Sequence, residues 1–185
     1  MPSSQTRART ATILAGVTLT VAGELLRLWS VRQIGVISRT RSDRLGPLID
    51  TGPFAVVRNP LYLGNIALWT GFALTAGLPW LAPLIIVALG GVYHAIVRWE
   101  EQLLEARLGD AYREYAAQVP RWFPGARPST SSGRAMRSKT VDSNPLMVSS
   151  SNHERFSWRE TLFSERGTLL AMCAGYLLLW LRARF

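Results

Sequence analysis

The chain has 185 residues, 21 basic against 12 acidic side chains, a net charge of +9, and a hydrophobic share of 48%. That length is a soft prior for one domain. Its mean hydropathy is slightly positive, +0.12, which excludes intrinsic disorder over most of the chain. A single cysteine, Cys173, excludes a disulfide-rich secreted scaffold, and the composition is not collagen-like. Lys139 is the sole lysine, so the positive charge is almost all arginine.

Charge is unevenly spread. From Asn59 to Val97 run 39 residues without Lys, Arg, Asp or Glu, and His94 is the one near-neutral titrating group in that window. A soluble domain would need charge on a solvated face there. A bilayer core about 30 Å thick takes about 20 apolar residues per helix, so the window holds two spans and a tight turn. A buried hairpin in a soluble protein is the competing reading.

In chain order, residues 11–31 predict a first span, interrupted by Glu24 and Arg27. These lie three apart on one helix face, where they can pair, and a charged pair in a span faces other helices or a cavity. A secretory signal cut after Val21-Ala22-Gly23 is the alternative. The apolar pattern continues through Leu25, Leu26, Leu28 and Trp29, which favours an uncleaved span. Residues 32–58 predict an Arg-rich connection with Arg32, Arg39, Arg41, Arg44 and Arg58, and with turns at Gly46-Pro47 and Gly52-Pro53.

Residues 61–78 and 81–97 predict the second and third spans, an antiparallel hairpin turning at Pro79-Trp80. Gly64, Gly71, Gly90 and Gly91 permit close helix approach. Residues 98–119 predict an amphipathic helix, broken near Gly109 and ended by Pro120. The domain organisation is then 1–124 as a membrane domain, 125–160 as a Ser/Arg-rich linker, and 161–185 as a C-terminal apolar helix. The apolar run 167–181 within that last part is only 15 residues long, so it is spanning or interfacial. The fold class expected is an all-α integral membrane bundle with a central hairpin and a cytoplasmic amphipathic helix. The 76–81 turn lacks basic residues, whereas 32–58 and the region after Val97 are rich in them. The positive-inside rule puts both of those regions in the cytoplasm and the N-terminus outside.

An antiparallel hairpin sets its two ends side by side, so Arg58, Asn59 and Tyr62 come near Glu100 and Glu101 at one membrane face. On the third helix Tyr93, Val97, Glu100 and Leu104 share one stripe, and His94, Arg98, Glu101 and Glu105 the next. A helix-end cluster of ion pairs with snorkelling arginines is the competing account.

The order Gly52-Pro53-Phe54, Arg58-Asn59-Pro60-Leu61-Tyr62-Leu63-Gly64, an apolar hairpin, then Glu100-Glu101, Leu104, Gly109, Tyr112, Tyr115, Val119-Pro120-Arg121 and Pro124 closely resembles the isoprenylcysteine carboxyl methyltransferase family. The related phospholipid N-methyltransferases share the pattern, and the resemblance spans roughly residues 23–124. It implies an integral membrane enzyme using S-adenosylmethionine. By matching motif positions it implies cofactor contacts from Leu48, Ile49, Phe54, Asn59, Pro60, Tyr62 and Glu100, with Arg58 as the motif arginine. Three positions depart from the family pattern. Asn59 stands for the usual His, and Asn hydrogen-bonds but carries no charge and is no base. Gly46 falls where an upstream His is common. Ile96 replaces a substrate-binding Arg of the eukaryotic enzymes, which separates the acceptor from a prenylcysteine carboxylate; Arg98 or His94 would be the substitutes.

These residue types suit methyl transfer. A carboxylate such as Glu100 holds an ammonium, Arg58 or backbone N–H groups hold a carboxylate, and Phe54, Tyr62 and Tyr93 offer π-faces to a sulfonium or adenine. In-line displacement needs alignment and exclusion of water. An amine acceptor would also need a base, for which His94 and Glu101 are the candidates beside Arg58 at the reacting end. The two histidines, His94 and His153, have no metal-ligand spacing. The expected partners are a lipophilic or lipid substrate and the membrane, with no nucleic acid. Two alternatives remain: a sterol-reductase-like NADPH enzyme, which carries a similar Arg-x-Pro-x-Tyr element, and a non-catalytic membrane scaffold binding anionic headgroups.

Overall fold

A computed structural model describes residues 3–35, 48–125 and 156–184. The expected turn at Gly46-Pro47, the arginines at 39, 41 and 44, His153 and most of the 125–160 linker lie outside these residues. Among them are five α-helices and no strand: α1 (Ser4–Ile34), α2 (Pro60–Thr75), α3 (Leu81–Leu108), α4 (Asp110–Gln118) and α5 (Trp158–Arg184), with a 3-10 turn at Gly52–Ala55. Three of them, α1, α3 and α5 up to Arg182, are long and apolar enough to cross a membrane.

Local chemistry sets most helix ends. Ser3 starts α1 by accepting the Thr6 N–H on its hydroxyl, and Gly35 ends it at φ 60°. Pro60 opens α2, where a missing N–H costs nothing. Gly109, at φ 56°, separates α3 from α4, as its position in the sequence predicts. The expected boundary near residue 97 is absent: α3 runs unbroken from the apolar segment through Leu108. The change at Arg98 is one of composition only, because Arg, Glu and Gln are as good helix formers as Leu.

The closest packing is between α1 and α2. Gly16, Thr20, Gly23 and Arg27 recur at i, i+4, i+7 and i+11 on α1, and Gly64, Leu68, Gly71 and Thr75 do so on α2. A Cβ on Gly16 would stand 2.7 Å from the Gly71 carbonyl oxygen, one on Gly23 2.7 Å from that of Gly64, and one on Gly71 2.5 Å from that of Gly16. The two backbones therefore touch. The glycines expected to permit close helix approach divide: Gly64 and Gly71 meet α1, while Gly90 and Gly91 have nothing within 4 Å among the described residues. In lipid, association rests on van der Waals closeness and polar contacts, so the helix with matching glycines becomes the partner. The hairpin itself forms as expected, turning at Gly77 (φ 77°).

The apolar run 167–181 lies within the longer helix α5, Trp158–Arg184. Ser157 and Glu160 form a reciprocal capping box: the Ser157 N–H donates to Glu160 Oε2 at 2.7 Å, and the Glu160 N–H to Ser157 Oγ at 3.3 Å. That cap starts α5 nine residues before Gly167. Helix α5 runs antiparallel to α1. The Phe156 N–H donates to the Arg32 carbonyl, the Arg32 guanidinium lies 4.6 Å above the Trp158 ring, and the Tyr176 hydroxyl donates to Thr20 Oγ1 at 2.9 Å. Arg182 and Arg184 consequently stand at the opposite end of the bundle from Arg58. This corrects the expectation that everything after Val97 lies on one side.

Candidate functional site

The site is assembled from three stretches at one end of the bundle. In the 3-10 turn, Gly52 adopts φ 62°, and a Cβ there would meet the Gln33 side-chain nitrogen at 2.2 Å. Only glycine satisfies both the backbone and that contact. The turn buries Pro53 and leaves Phe54 half-buried. The Phe54 carbonyl accepts the Tyr115 hydroxyl at 2.8 Å, which ties α4 to the turn.

Residues 58 and 59 are then crossed by the segment after α4. The Arg58 N–H donates to the Pro120 carbonyl at 2.9 Å, and Asn59 Nδ2 donates to the Arg121 carbonyl at 3.1 Å. The Arg58 guanidinium Nη1 lies 2.9 Å from Glu101 Oε1 and 3.5 Å from the Tyr112 hydroxyl. Arg121 grips the same carboxylate as a fork, Nε to Oε1 at 2.9 Å and Nη2 to Oε2 at 2.5 Å. Glu101 is thus a shared counter-charge between two arginines.

The neighbouring glutamate points elsewhere. Tyr62, in the first turn of α2, donates its hydroxyl to Glu100 Oε1 at 2.9 Å and stacks on Tyr93 with ring centroids 4.7 Å apart. Val97, on the same α3 stripe, is fully buried. Among the described residues Glu100 Oε2 accepts no hydrogen bond. The expected approach of the Tyr62 region to the glutamate pair is present, and the 100° turn between adjacent helical residues sorts the two carboxylates into separate environments.

The other predicted positions fall as follows. Pro60 is buried beneath the site, and Leu48 and Ile49 are half-buried just ahead of the 3-10 turn. His94 shares the Glu101 stripe but stands two turns, about 10 Å, further along α3 and is exposed; the structure does not bring it to the cluster. Tyr112, Tyr115 and Arg121 are the members that residue-by-residue reading passed over as site groups. Their signal was the pair of tyrosines at i, i+3 followed by a basic residue directly after the helix-ending Pro120.

Electrostatics follow this packing. Burial pushes the Tyr115 phenol well above its ordinary value, and burial likewise raises Tyr112. The Glu101 hydrogen bonds hold Arg121 above the usual guanidinium range. The cluster therefore keeps neutral tyrosines around a fixed ionic core at neutral pH.

Fold and site together define an all-helical protein with membrane-length apolar helices and a polar, tyrosine-rich site at one end of the bundle. The chain belongs to the phospholipid methyltransferase family, whose pattern matches residues 11–111. It is similar to the nickel-cobalt-cadmium resistance protein NccN of Alcaligenes xylosoxydans xylosoxydans, 30% identical over 111 residues, which is 60% of this chain and 47% of that protein. It is also similar to the cobalt-zinc-cadmium resistance protein CzcN of Cupriavidus metallidurans, 30% identical over 112 residues, again 60% of this chain and 47% of the relative. The matched region spans about half the length of these relatives. No solved structure matches the chain.

Proposed function

We propose that this protein transfers a methyl group from S-adenosylmethionine to a lipophilic acceptor that reaches the site laterally through the bilayer. The observation that carries this reading is the Tyr62–Glu100 hydrogen bond, which joins the proline-tyrosine turn to the glutamate pair within one site. Family membership supplies the reaction class.

The side chains present suit such a cofactor. Glu100 has one carboxylate oxygen engaged by Tyr62 and the other open to an ammonium. Among the described residues Arg58 Nε is buried without a hydrogen-bond partner, a donor in want of an acceptor such as a carboxylate. The stacked Tyr62 and Tyr93 rings present π-faces, which attract a sulfonium or stack on adenine. Leu48, Ile49, Phe54 and Pro60 would supply apolar wall, and the Asn59 side chain, anchored through its Nδ2, keeps its oxygen as an acceptor.

Bound there, S-adenosylmethionine would supply an electrophilic methyl on a positively charged sulfur. The residues would orient, neutralise and exclude water. Both oxygens of Glu101 are engaged by arginine, so we assign it, with Arg58, to positioning rather than proton transfer. An acceptor that is already an anion needs no base. An amine acceptor would use His94 only by entering from the lipid-facing side of α3, where that imidazole is exposed.

We place the Arg58 end in the cytoplasm, because Arg32, Arg98, Arg107, Arg113 and Arg121 cluster with it. Incubating membranes with isotopically labelled S-adenosylmethionine and extracting lipid is the direct test. Label in a lipid-phase product is expected, and Glu100→Ala should abolish it. Calorimetry with S-adenosylhomocysteine should show binding that Tyr62→Phe weakens, because the Glu100 carboxylate loses the hydrogen bond that orients it. Binding of NADPH in place of the homocysteine nucleoside would instead support a reductase. Growth on nickel, cobalt or cadmium with and without the gene asks separately whether the property in the relatives' names extends to this chain.

A further inference from the structure

A second polar cluster lies within the bundle, between α1, α2 and α5. The Arg27 guanidinium donates through Nη1 to Asn65 Oδ1 on α2 and through Nη2 to Glu165 Oε2 on α5. Thr168 Oγ1 stands 3.4 Å from the same Nη2. Arg27 Nε lies 3.3 Å from Glu24 Oε2, one turn back on α1. Yet among the described residues neither Glu24 oxygen has a hydrogen-bond partner, although the residue is 4% exposed. Two carboxylates thus flank one guanidinium through different nitrogens, and of the two only Glu165 hydrogen-bonds it.

The placement gives that arrangement a consequence. The Arg27 stem packs on Gly64, and Asn65 follows Tyr62 by three residues on the same first turns of α2. Glu165 belongs to α5, beyond the 11–111 stretch that matches the family. No residue in the apolar window of α5 is fully buried. Beside its aromatic contacts with Phe72, α5 is tied to the bundle by polar groups on Glu165, Thr168 and Tyr176.

We propose that Arg27 is a positioning residue that couples docking of α5 to the Tyr62-bearing turn of α2, with Glu165 and Glu24 as its alternative carboxylate partners. While α5 is docked, Glu165 draws the guanidinium away from Glu24 and against Asn65. When the Glu165 charge is lost, the guanidinium turns back to Glu24, the other buried carboxylate beside it among the described residues, and releases Asn65. The coupling bears on catalysis only through the reading of Tyr62 as a cofactor contact; the coupling itself is a statement about α2.

The test uses the full chain in lipid nanodiscs, with amide hydrogen exchange over residues 60–66 as the readout. Glu165→Gln is expected to speed exchange there at least about threefold. Glu24→Gln alone should leave it unchanged. The double variant Glu24→Gln/Glu165→Gln should return it to within about twofold of the parent, because nothing then pulls Arg27 off Asn65. Additive loss of two ion-pair partners predicts the reverse, a double variant as fast as or faster than Glu165→Gln. That result, or no change in Glu165→Gln, overturns the proposal. Where Glu165→Gln does not fold, Glu165→Asp keeps the charge on a shorter stem, and an acceleration reversed by Glu24→Gln is again the expected result. S-adenosylhomocysteine affinity should track exchange across the set. If the exchange pattern holds while the parent binds no S-adenosylhomocysteine, the coupling stands and the methyltransferase reading falls.

Discussion

Glu101 shows how a residue of plausible catalytic type is claimed by its neighbours. Its carboxylate neutralises Arg58 and Arg121, with its side chain 15% exposed. Glu101→Ala leaves two guanidiniums facing each other in a half-buried space and should cost about 2–3 kcal/mol of stability. Arg121→Ala removes a partner that is one-third exposed and should cost about 1 kcal/mol or less. Thermal unfolding in detergent measures both, and equal losses would contradict the shared-counter-charge account. Tyr115 yields a pH prediction. Its phenol is raised above its ordinary value of 10 by burial, against a smaller opposing effect of Arg58. The unfolded chain therefore ionises first, so this contribution is fully present below pH 10 and is lost as pH climbs above it. Unfolding temperature should fall more steeply between pH 9 and 11 for the parent than for Tyr115→Phe, which at neutral pH loses only the bond to Phe54, worth about 1 kcal/mol. At this scale the approach of Arg58 and Tyr62 to the Glu100–Glu101 pair is legible from their motif positions. The roles of Tyr112, Tyr115 and Arg121 are not, because each depends on a partner more than fifty or about twenty residues away.

Among elements, the pairing of α1 with α2 rests on glycine. Gly71→Ala puts a methyl 2.5 Å from the Gly16 carbonyl oxygen, and backbone cannot yield as a side-chain tip does. We expect a loss of about 2–3 kcal/mol, at the upper end of overpacking costs. Gly90→Ala, on the open face of α3, should be neutral or stabilising by up to about 1 kcal/mol, the helix propensity difference. The same unfolding measurement distinguishes them, and similar effects would show that the helices are farther apart than described. The glycines were visible in the sequence as permissive positions. Which helix they served was not, since Gly64, Gly71, Gly90 and Gly91 are all small residues in apolar helices. The start of α5 is the converse case. Ser157-x-x-Glu160 is a readable cap, but counting apolar residues alone begins the helix at Gly167 and makes it appear too short to span.

For the whole molecule, α1, α3 and α5 are of membrane length while α2, at 16 residues, is shorter than the span expected over 61–78; the four alternate in direction, so the N-terminal end of α1 and the C-terminal end of α5 lie together, away from Arg58. On the proposed placement of the Arg58 end in the cytoplasm, a reporter fused after residue 185 should register the non-cytoplasmic side, and one inserted between residues 36 and 47 the cytoplasmic side. Both reporters on one side would overturn the antiparallel placement of α5 against α1. What the chain determines by itself is local or one-dimensional: helical periodicity, a 39-residue uncharged window, breaks at Gly and Pro, and two motifs that a hairpin must return to the same rim. Tertiary structure alone decides that Glu100 meets Tyr62 while Glu101 meets two arginines, that α1 is the intimate partner of α2, and that Arg27 is divided between Glu24 and Glu165. Those outcomes depend on how far each helix is rotated about its axis. Each residue advances that rotation by about 100°, and only the mutual fit of backbones and polar groups across helices selects one angle.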